Sequence, residues 1–190
     1  MTTEPADSIA HLRATAHPLR LRMLSLLTAE AMSAAELARV LDVTHANASY
    51  HLRLLHDAGE LVVEGEEKIR GGTAKRYRYD ATRALPDRTS GVDDRVAYAR
   101  ATALEVERRL LDAAPGTATS SDLEAWVPVE SWHRALDLLH EASHLLHAAA
   151  RPPGTPDTVH VSVTTNAFSM TGGLTGDAAR WTPSQQEEGR

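Results

Sequence analysis

Thr44, His45, Asn47, Ser49, Tyr50 and Arg53 are six side chains with hydrogen-bonding groups set at short intervals. Short hydroxyl, amide and imidazole groups together with a guanidinium are the equipment that pairs with base edges in the major groove and with phosphate oxygens. At about 100° per residue, positions 46, 49, 50 and 53 project away from Ala48, while Leu52 and Leu55 share the side of Ala48. The segment therefore reads as a helix with one apolar side and one side able to read a polymer edge.

A second group lies downstream. Lys68, Arg70, Lys75, Arg76 and Arg78 fall within eleven positions beside Gly71 and Gly72, and they are half of the ten basic residues between positions 9 and 80. A basic loop with a glycine turn can reach a flanking phosphate or the minor groove. Glu64, Glu66 and Glu67 dilute the charge, so an ordinary charged hairpin is the plainer reading.

The third group is a row of histidines. His133, His140, His144 and His147 share one helical face with Asp137, and His140 with His144 has the i, i+4 spacing that lets two imidazoles hold one zinc ion. Leu136, Leu138, Leu139, Ala142, Leu145 and Leu146 occupy the other side of that helix. A polar stripe opposite an apolar one is usually a solvated face. No metal or other cofactor is assigned on this ground, and a zinc or nickel sensor stands as the alternative.

The elements that must position these groups are readable. His17-Pro18 opens a helix to Leu27 with Leu19, Met23, Leu26 and Leu27 as its buried stripe. Ser33 and Glu36 form a capping-box pair for a helix from Ala34 to Leu41, with Leu37, Val40 and Leu41 apolar. Asp42-Val43 is a turn, Thr44 caps the polar helix to about Asp57, and Gly59 stops it. Leu61–Val63 and Tyr77–Tyr79 are short strand candidates, with Glu64 to Arg76 as the loop between them.

After a connector at residues 81–90, Val92, Val96, Ala99, Ala103, Val106 and Leu110 recur at alternating steps of four and three, a heptad seam suited to a partner helix. Arg95, Arg100, Glu105, Glu107, Arg108 and Arg109 flank it. Asp122–Val127 and Val159–Val163 alternate as strands around a helix from Ser131 to Ala150. The expected class is α+β: an N-terminal winged helix-turn-helix at 9–80, then a long dimerisation helix and a small strand-helix-strand unit within 91–168. Residues 1–8 and 171–190 are expected to be disordered.

Composition sets bounds on function. The net charge of -6 resolves into -2 for residues 1–8, +1 for residues 9–80 and -5 for residues 81–190, a near-neutral head on an acidic body. The 190 residues contain no cysteine, which removes disulfides, thiol nucleophiles and thiolate metal sites. No long apolar run and no basic, apolar leader is visible, so a cytoplasmic protein without membrane contact is expected. Nucleophile-elbow, phosphate-loop and paired-carboxylate motifs are missing, which argues against an enzyme.

The run His17-Pro-Leu-Arg-Leu-Arg-Met-Leu, then Glu36-Leu-Ala, then Ala48-Ser-Tyr-His-Leu-Arg-Leu-Leu-His-Asp-Ala-Gly59, resembles the winged helix-turn-helix of the ArsR-type bacterial regulators. The resemblance covers residues 10–80. It implies a homodimer whose paired third helices read a two-fold operator in double-stranded DNA, usually as a repressor released by an inducer. Metal-sensing members carry a cysteine pair just after the Glu-Leu of the support helix. Here that place reads Ala38-Arg39-Val40, so the resemblance is to the non-cysteine branch. The effector expected is a small molecule or protein not identified by the sequence, and a winged helix serving only protein contacts is a further alternative.

Overall fold

Each helix of the N-terminal region begins where the sequence supplies a cap. In the computed structural model, which describes residues 14–69, 72–79 and 91–170, α1 (Pro18–Ala29) opens with proline in its first turn. The imidazole of His17 caps it, Nδ1 accepting the Leu19 N–H at 3.1 Å. A proline there sacrifices no hydrogen bond, because the first N–H groups of a helix have no partner within it. Ser33 and Glu36 close a reciprocal capping box over α2 (Ala34–Leu41): the Glu36 N–H donates to Ser33 Oγ at 3.4 Å, and the Ser33 N–H donates to Glu36 Oε2 at 2.7 Å.

Asp42 ends α2 in the left-handed region at φ 53°, and the Val43 N–H returns to the Ala38 carbonyl at 3.0 Å. Aspartate is among the few residues other than glycine that take this conformation readily. Thr44 Oγ1 then accepts the Asn47 N–H at 3.2 Å and opens α3 (His45–Asp57). Gly59, at φ 78°, turns the chain out of α3 and into the sheet, where a side chain would be strained.

The sheet has three antiparallel strands in the order β1-β3-β2, made of β1 (Met32–Ser33), β2 (Leu61–Ile69) and β3 (Gly72–Tyr79). Two expectations are corrected here. The strands of the hairpin run well past Val63 and begin well before Tyr77, so most of the supposed basic loop is paired strand. Glu66 opposite Lys75 and Lys68 opposite Thr73 are compatible cross-strand neighbours, and the ladder pairs backbone N–H and C=O groups that a loop would leave to water. The third strand, β1, is two residues long and carries no alternation to reveal it.

Met23, Leu27, Leu37, Leu52 and Leu55 are the largest fully buried side chains, and Ala48, Leu41 and Leu61 complete the core between the helices and the sheet. Leu19 and Leu26 pack against its margin. Leu24 and Ala38 are buried where Val40, expected inside, is 56% exposed. The period of a helix this short leaves the edge of its buried stripe uncertain by one residue.

α4 (Val92–Leu110) lies along α1 with Ala101, Thr102 and Glu105 buried. Glu105 accepts the Arg108 Nε–H at 3.0 Å, and Arg109 donates through Nη2 to Ser25 Oγ of α1 at 3.3 Å. A buried carboxylate beside two guanidiniums is paired, as a buried charge must be.

The chain divides into two compact units, one built on residues up to Asp112 with Ala150–Ser162, the other on Ala113–Ala149 with residues from Val163 onward. The second unit holds α5 (Val129–Ala149). The expected strand-helix-strand unit does not form: neither 122–127 nor 159–163 is a strand, and among the described residues the only strands are β1, β2 and β3. Val159, Val161 and Val163, which share one side of that alternation, are exposed, at 79%, 53% and 62%. Alternation describes a half-buried strand only when another strand supplies the ladder and a core supplies the buried face. Both are missing for these segments.

Candidate nucleic-acid interface

On α3 the buried residues are Ala48, His51, Leu52 and Leu55. Thr44, His45, Ala46, Asn47, Tyr50 and Arg53 are exposed, and Ser49 is half-buried at the edge. One helix thus carries a packed apolar side and, around from it, a continuous row of hydrogen-bonding side chains that no element of its unit covers. The amphipathic pattern causes this directly. Leu52 and Leu55 anchor against Leu37 and Met23 of the other two helices, and the rotation this imposes turns Asn47, Tyr50 and Arg53 outward.

The hairpin presents a smaller cationic set than its composition promises. Residues opposite one another in an antiparallel ladder share a face. The pairs Leu61 with Tyr79, Val63 with Tyr77, Glu66 with Lys75 and Lys68 with Thr73 therefore define one face, which holds both lysines. The core contacts of Leu61, Tyr77 and Tyr79, and the edge-on packing of Tyr77 on His56 of α3 at 5.8 Å, fix that face as the one toward α3. A bulge between Val63 and Gly65 makes this possible. Without the extra residue, Lys68 would fall on the face opposite Val63. Lys68 and Lys75 are both exposed.

Arg76 does something else. Its Nη1 donates to both carboxylate oxygens of Glu36 at 3.0 Å, its Nη2 donates to the Ala31 carbonyl, and Glu67 stands 3.6 Å away. Arg76, expected among the DNA contacts, has its guanidinium engaged within the domain, where it ties β3 to the start of α2. Hydrogen bonding to Glu36 holds the Arg76 charge more firmly than usual. The bonds from the Ser33 backbone and side chain and from Arg76 hold the Glu36 carboxyl below the ordinary carboxylate range. Arg78 is near Glu64, at 3.5 Å, and Arg70 lies outside the described residues.

Behind the exposed row sits a cluster of buried and half-buried aromatic side chains. His51 is buried, at 7% exposure, with its ring 4.8 Å from His17 and 5.2 Å from Tyr50. Burial lowers the pKa of His51, and His17 and Arg20 lower it further; burial and Arg20 do the same to His17. The helical period did mark His51, three positions after Ala48 and so on the inward side. A histidine at an inward position is the available cue.

The histidines of α5 are arranged differently from the expectation. The less exposed side of that helix carries Trp132, His133, Leu136, Asp137 and His140, while Leu138, Leu139, Leu145 and Leu146 are exposed. The histidine row is therefore not simply the solvated face. His133 Nε2 is buried without a hydrogen-bond partner, His140 and His144 have rings 4.3 Å apart, and His147 Nδ1 lies 2.7 Å from the Ser143 carbonyl. Among the described residues, no group of three or more His, Asp or Glu side chains is placed to hold a metal ion.

The heptad seam of α4 is open. Val92, Val96 and Leu110 are exposed at 65%, 41% and 58%, Ala99 and Ala103 are exposed, and Val106 is half-buried. The seam lies roughly 130° around the helix from the stripe of Ala101, Thr102 and Glu105 that packs on α1.

Three packed helices with a tight turn between the second and third, followed by an antiparallel hairpin, define a helix-turn-helix domain whose arrangement is compatible with a winged form. Residues 15–64 match the family model described as a helix-turn-helix domain. That match spans α1 through the first residues of β2, and such a domain points to a DNA-binding transcription regulator. No curated protein matches the chain. Among the described residues no helix is long and apolar enough to cross a membrane.

Proposed function

We propose that this protein is a dimeric, cytoplasmic transcription regulator of the ArsR type, non-cysteine branch, that binds a two-fold operator in double-stranded DNA. The observation that carries the reading is the uncovered row of hydrogen-bonding groups on α3, held outward by the burial of Ala48, Leu52 and Leu55. Thr44, His45, Asn47, Ser49, Tyr50 and Arg53 enter the major groove. Lys68 and Lys75, on the hairpin face turned toward α3, take phosphates beside it, joined by Arg70. Arg76 is not among these contacts.

The α4 seam of Val92, Val96, Ala99, Ala103, Val106 and Leu110 pairs with the same seam of a second copy, and two-fold pairing sets the spacing of the two reading helices. The segment 9–80 is then the reading domain and 91–168 the region that dimerises and receives a small-molecule or protein signal. The regulator acts as a repressor, and the signal changes helix separation so that the operator complex weakens.

Binding to a duplex selected from random fragments, followed over increasing salt, tests the reading. A logarithmic affinity that falls linearly with the logarithm of salt is expected, because lysines and arginines that neutralise phosphates release counterions. Absence of duplex binding at low salt would leave a protein-contact module instead.

A further inference from the structure

Helix caps are ordinarily hydroxyl, carboxylate or amide side chains, none of which changes its charge near neutrality. At the start of α1 the acceptor is instead the imidazole of His17, whose Nδ1 takes the Leu19 N–H at 3.1 Å. That nitrogen accepts only while it carries no proton, so the ring is neutral with its hydrogen on Nε2. The same half-buried ring lies 4.8 Å from that of His51 on α3. His51 is 7% exposed, its Nδ1 is buried without a hydrogen-bond partner, and Tyr50 of the reading row meets it edge-on at 5.2 Å. Through this stack the start of α1 rests on the helix that carries the reading row.

We propose that the His17–His51 pair is an acid-sensitive joint, in which proton uptake by either ring releases the start of α1 from α3 and weakens the operator complex. A proton on His17 Nδ1 removes the cap and sets a positive charge at a helix N-terminus, where the dipole disfavours it. A proton on His51 Nδ1 buries a charge whose new N–H meets no acceptor, and water reaches that ring only if α1 draws back or α3 turns. A turn of α3 carries Tyr50 and Arg53 with it, and withdrawal of α1 removes one of the supports against that turn. Burial disfavours a proton on both rings; His17 adds to this at His51, and Arg20, in the first turn of α1, adds to it at both. No carboxylate among the described residues acts on either ring. The joint is therefore closed at neutral pH and opens as pH falls below the ordinary histidine range.

The effect on the operator rests on the DNA-binding reading, whereas the joint itself does not, and two measurements keep them apart. Affinity for a selected duplex is followed from about pH 7.5 to about pH 5.5 for full-length wild type, His17→Ser and His51→Gln, with circular dichroism at each pH. Without DNA, NMR follows the ring nitrogens of both histidines and the protection of the Leu19 amide. Wild-type affinity is expected to fall by up to about tenfold per pH unit for each proton taken up, with the helices intact and Leu19 losing protection in step. His17→Ser keeps a cap that does not titrate, so it should flatten the affinity profile and keep Leu19 protected. His51→Gln should flatten the profile as well, and His17→Ser carries the comparison alone if His51→Gln does not fold. His45 of the reading row is present in all three proteins and cancels between them.

Parallel affinity profiles in wild type and His17→Ser overturn the joint while leaving the α3 reading intact. A wild-type loss that coincides with loss of the helical signal overturns it too, since that marks unfolding of the whole domain. An affinity that rises on acidification more in wild type than in the variants gives the pair the opposite sign and contradicts it. If wild type binds no duplex at about pH 7.5, the operator reading falls and NMR alone decides the joint: His17 taking up its proton while Leu19 stays protected overturns it.

Discussion

The Arg76 guanidinium rests on the Glu36 carboxylate, Nη1 standing 3.0 Å from both oxygens, and this one pair joins the third strand to the capping box of the second helix. Glu36 simultaneously accepts the Ser33 N–H and hydroxyl, at 2.7 and 2.8 Å, so three donor groups from two residues converge on one carboxylate. The hairpin is therefore held at its base by a charge pair that also holds the helix-turn-helix.

Arg76→Ala is accordingly expected to lower the melting temperature and leave the salt slope of DNA binding unchanged. Ser33→Ala should cost about 1 kcal/mol, the usual worth of a helix cap. Because its partners depress the Glu36 pKa, that carboxylate's contribution is fully present above the ordinary carboxylate range and is lost as pH falls through the depressed value. Acid titration of unfolding free energy for wild type and Glu36→Gln checks this: the two curves should converge at low pH.

Lys75→Ala should show the opposite pattern. Lys75 is exposed on the hairpin face toward α3, so its removal should leave the melting temperature unchanged and weaken binding to all duplexes about equally. The salt slope should shrink by about 0.9. A duplex-dependent loss would instead give Lys75 a part in reading sequence.

The contrast between Arg76 and Lys75 shows how far the sequence could be read. Both are basic residues beside a glycine pair, and composition treats them alike. What separates them is the alternation of β3, which turns these neighbours to opposite faces, and the two-residue strand β1, which brings Arg76 to Ala31 and Glu36. The expectation of a loop hid the alternation, and β1 is too short to leave a periodic trace. By contrast, the caps at Ser33 and Thr44, the left-handed Gly59 and the stripe of Ala48, Leu52 and Leu55 are local, and the helices begin and end where those residues say. The failed strands at 122–127 and 159–163 teach the same lesson in reverse: alternation was present, but pairing is a long-range property.

Stability should fall on acidification near neutrality because of the buried His51 and half-buried His17 imidazoles. Burial lowers the pKa of His51 and His17 from the ordinary 6.5, so below that value the unfolded chain binds protons that the folded one resists. Their contribution is complete above pH 6.5 and declines as pH falls through the lowered folded values. Chemical denaturation between pH 7.5 and about 5 is expected to show this decline, and His51→Gln to flatten it.

The α4 seam yields a prediction about assembly. Ala103 is exposed on that seam, so Ala103→Glu should leave the packing of α4 on α1 intact and place two like charges at the proposed two-fold contact. Sedimentation should report a dimer for wild type and a monomer for the variant, with operator affinity reduced in parallel. A variant that stays dimeric would move the interface elsewhere on the chain.

The central claim is that the outward side of α3 reads base sequence, and Arg53, exposed on that side, tests it most directly. The measurement is the ratio of affinities for a selected and an unrelated duplex at one fixed salt concentration, for wild type and Arg53→Ala. The ratio is expected to collapse by a factor corresponding to about 1–3 kcal/mol, with affinity for the unrelated duplex changed far less. Equal losses on both duplexes, leaving the ratio at its wild-type value, would contradict it.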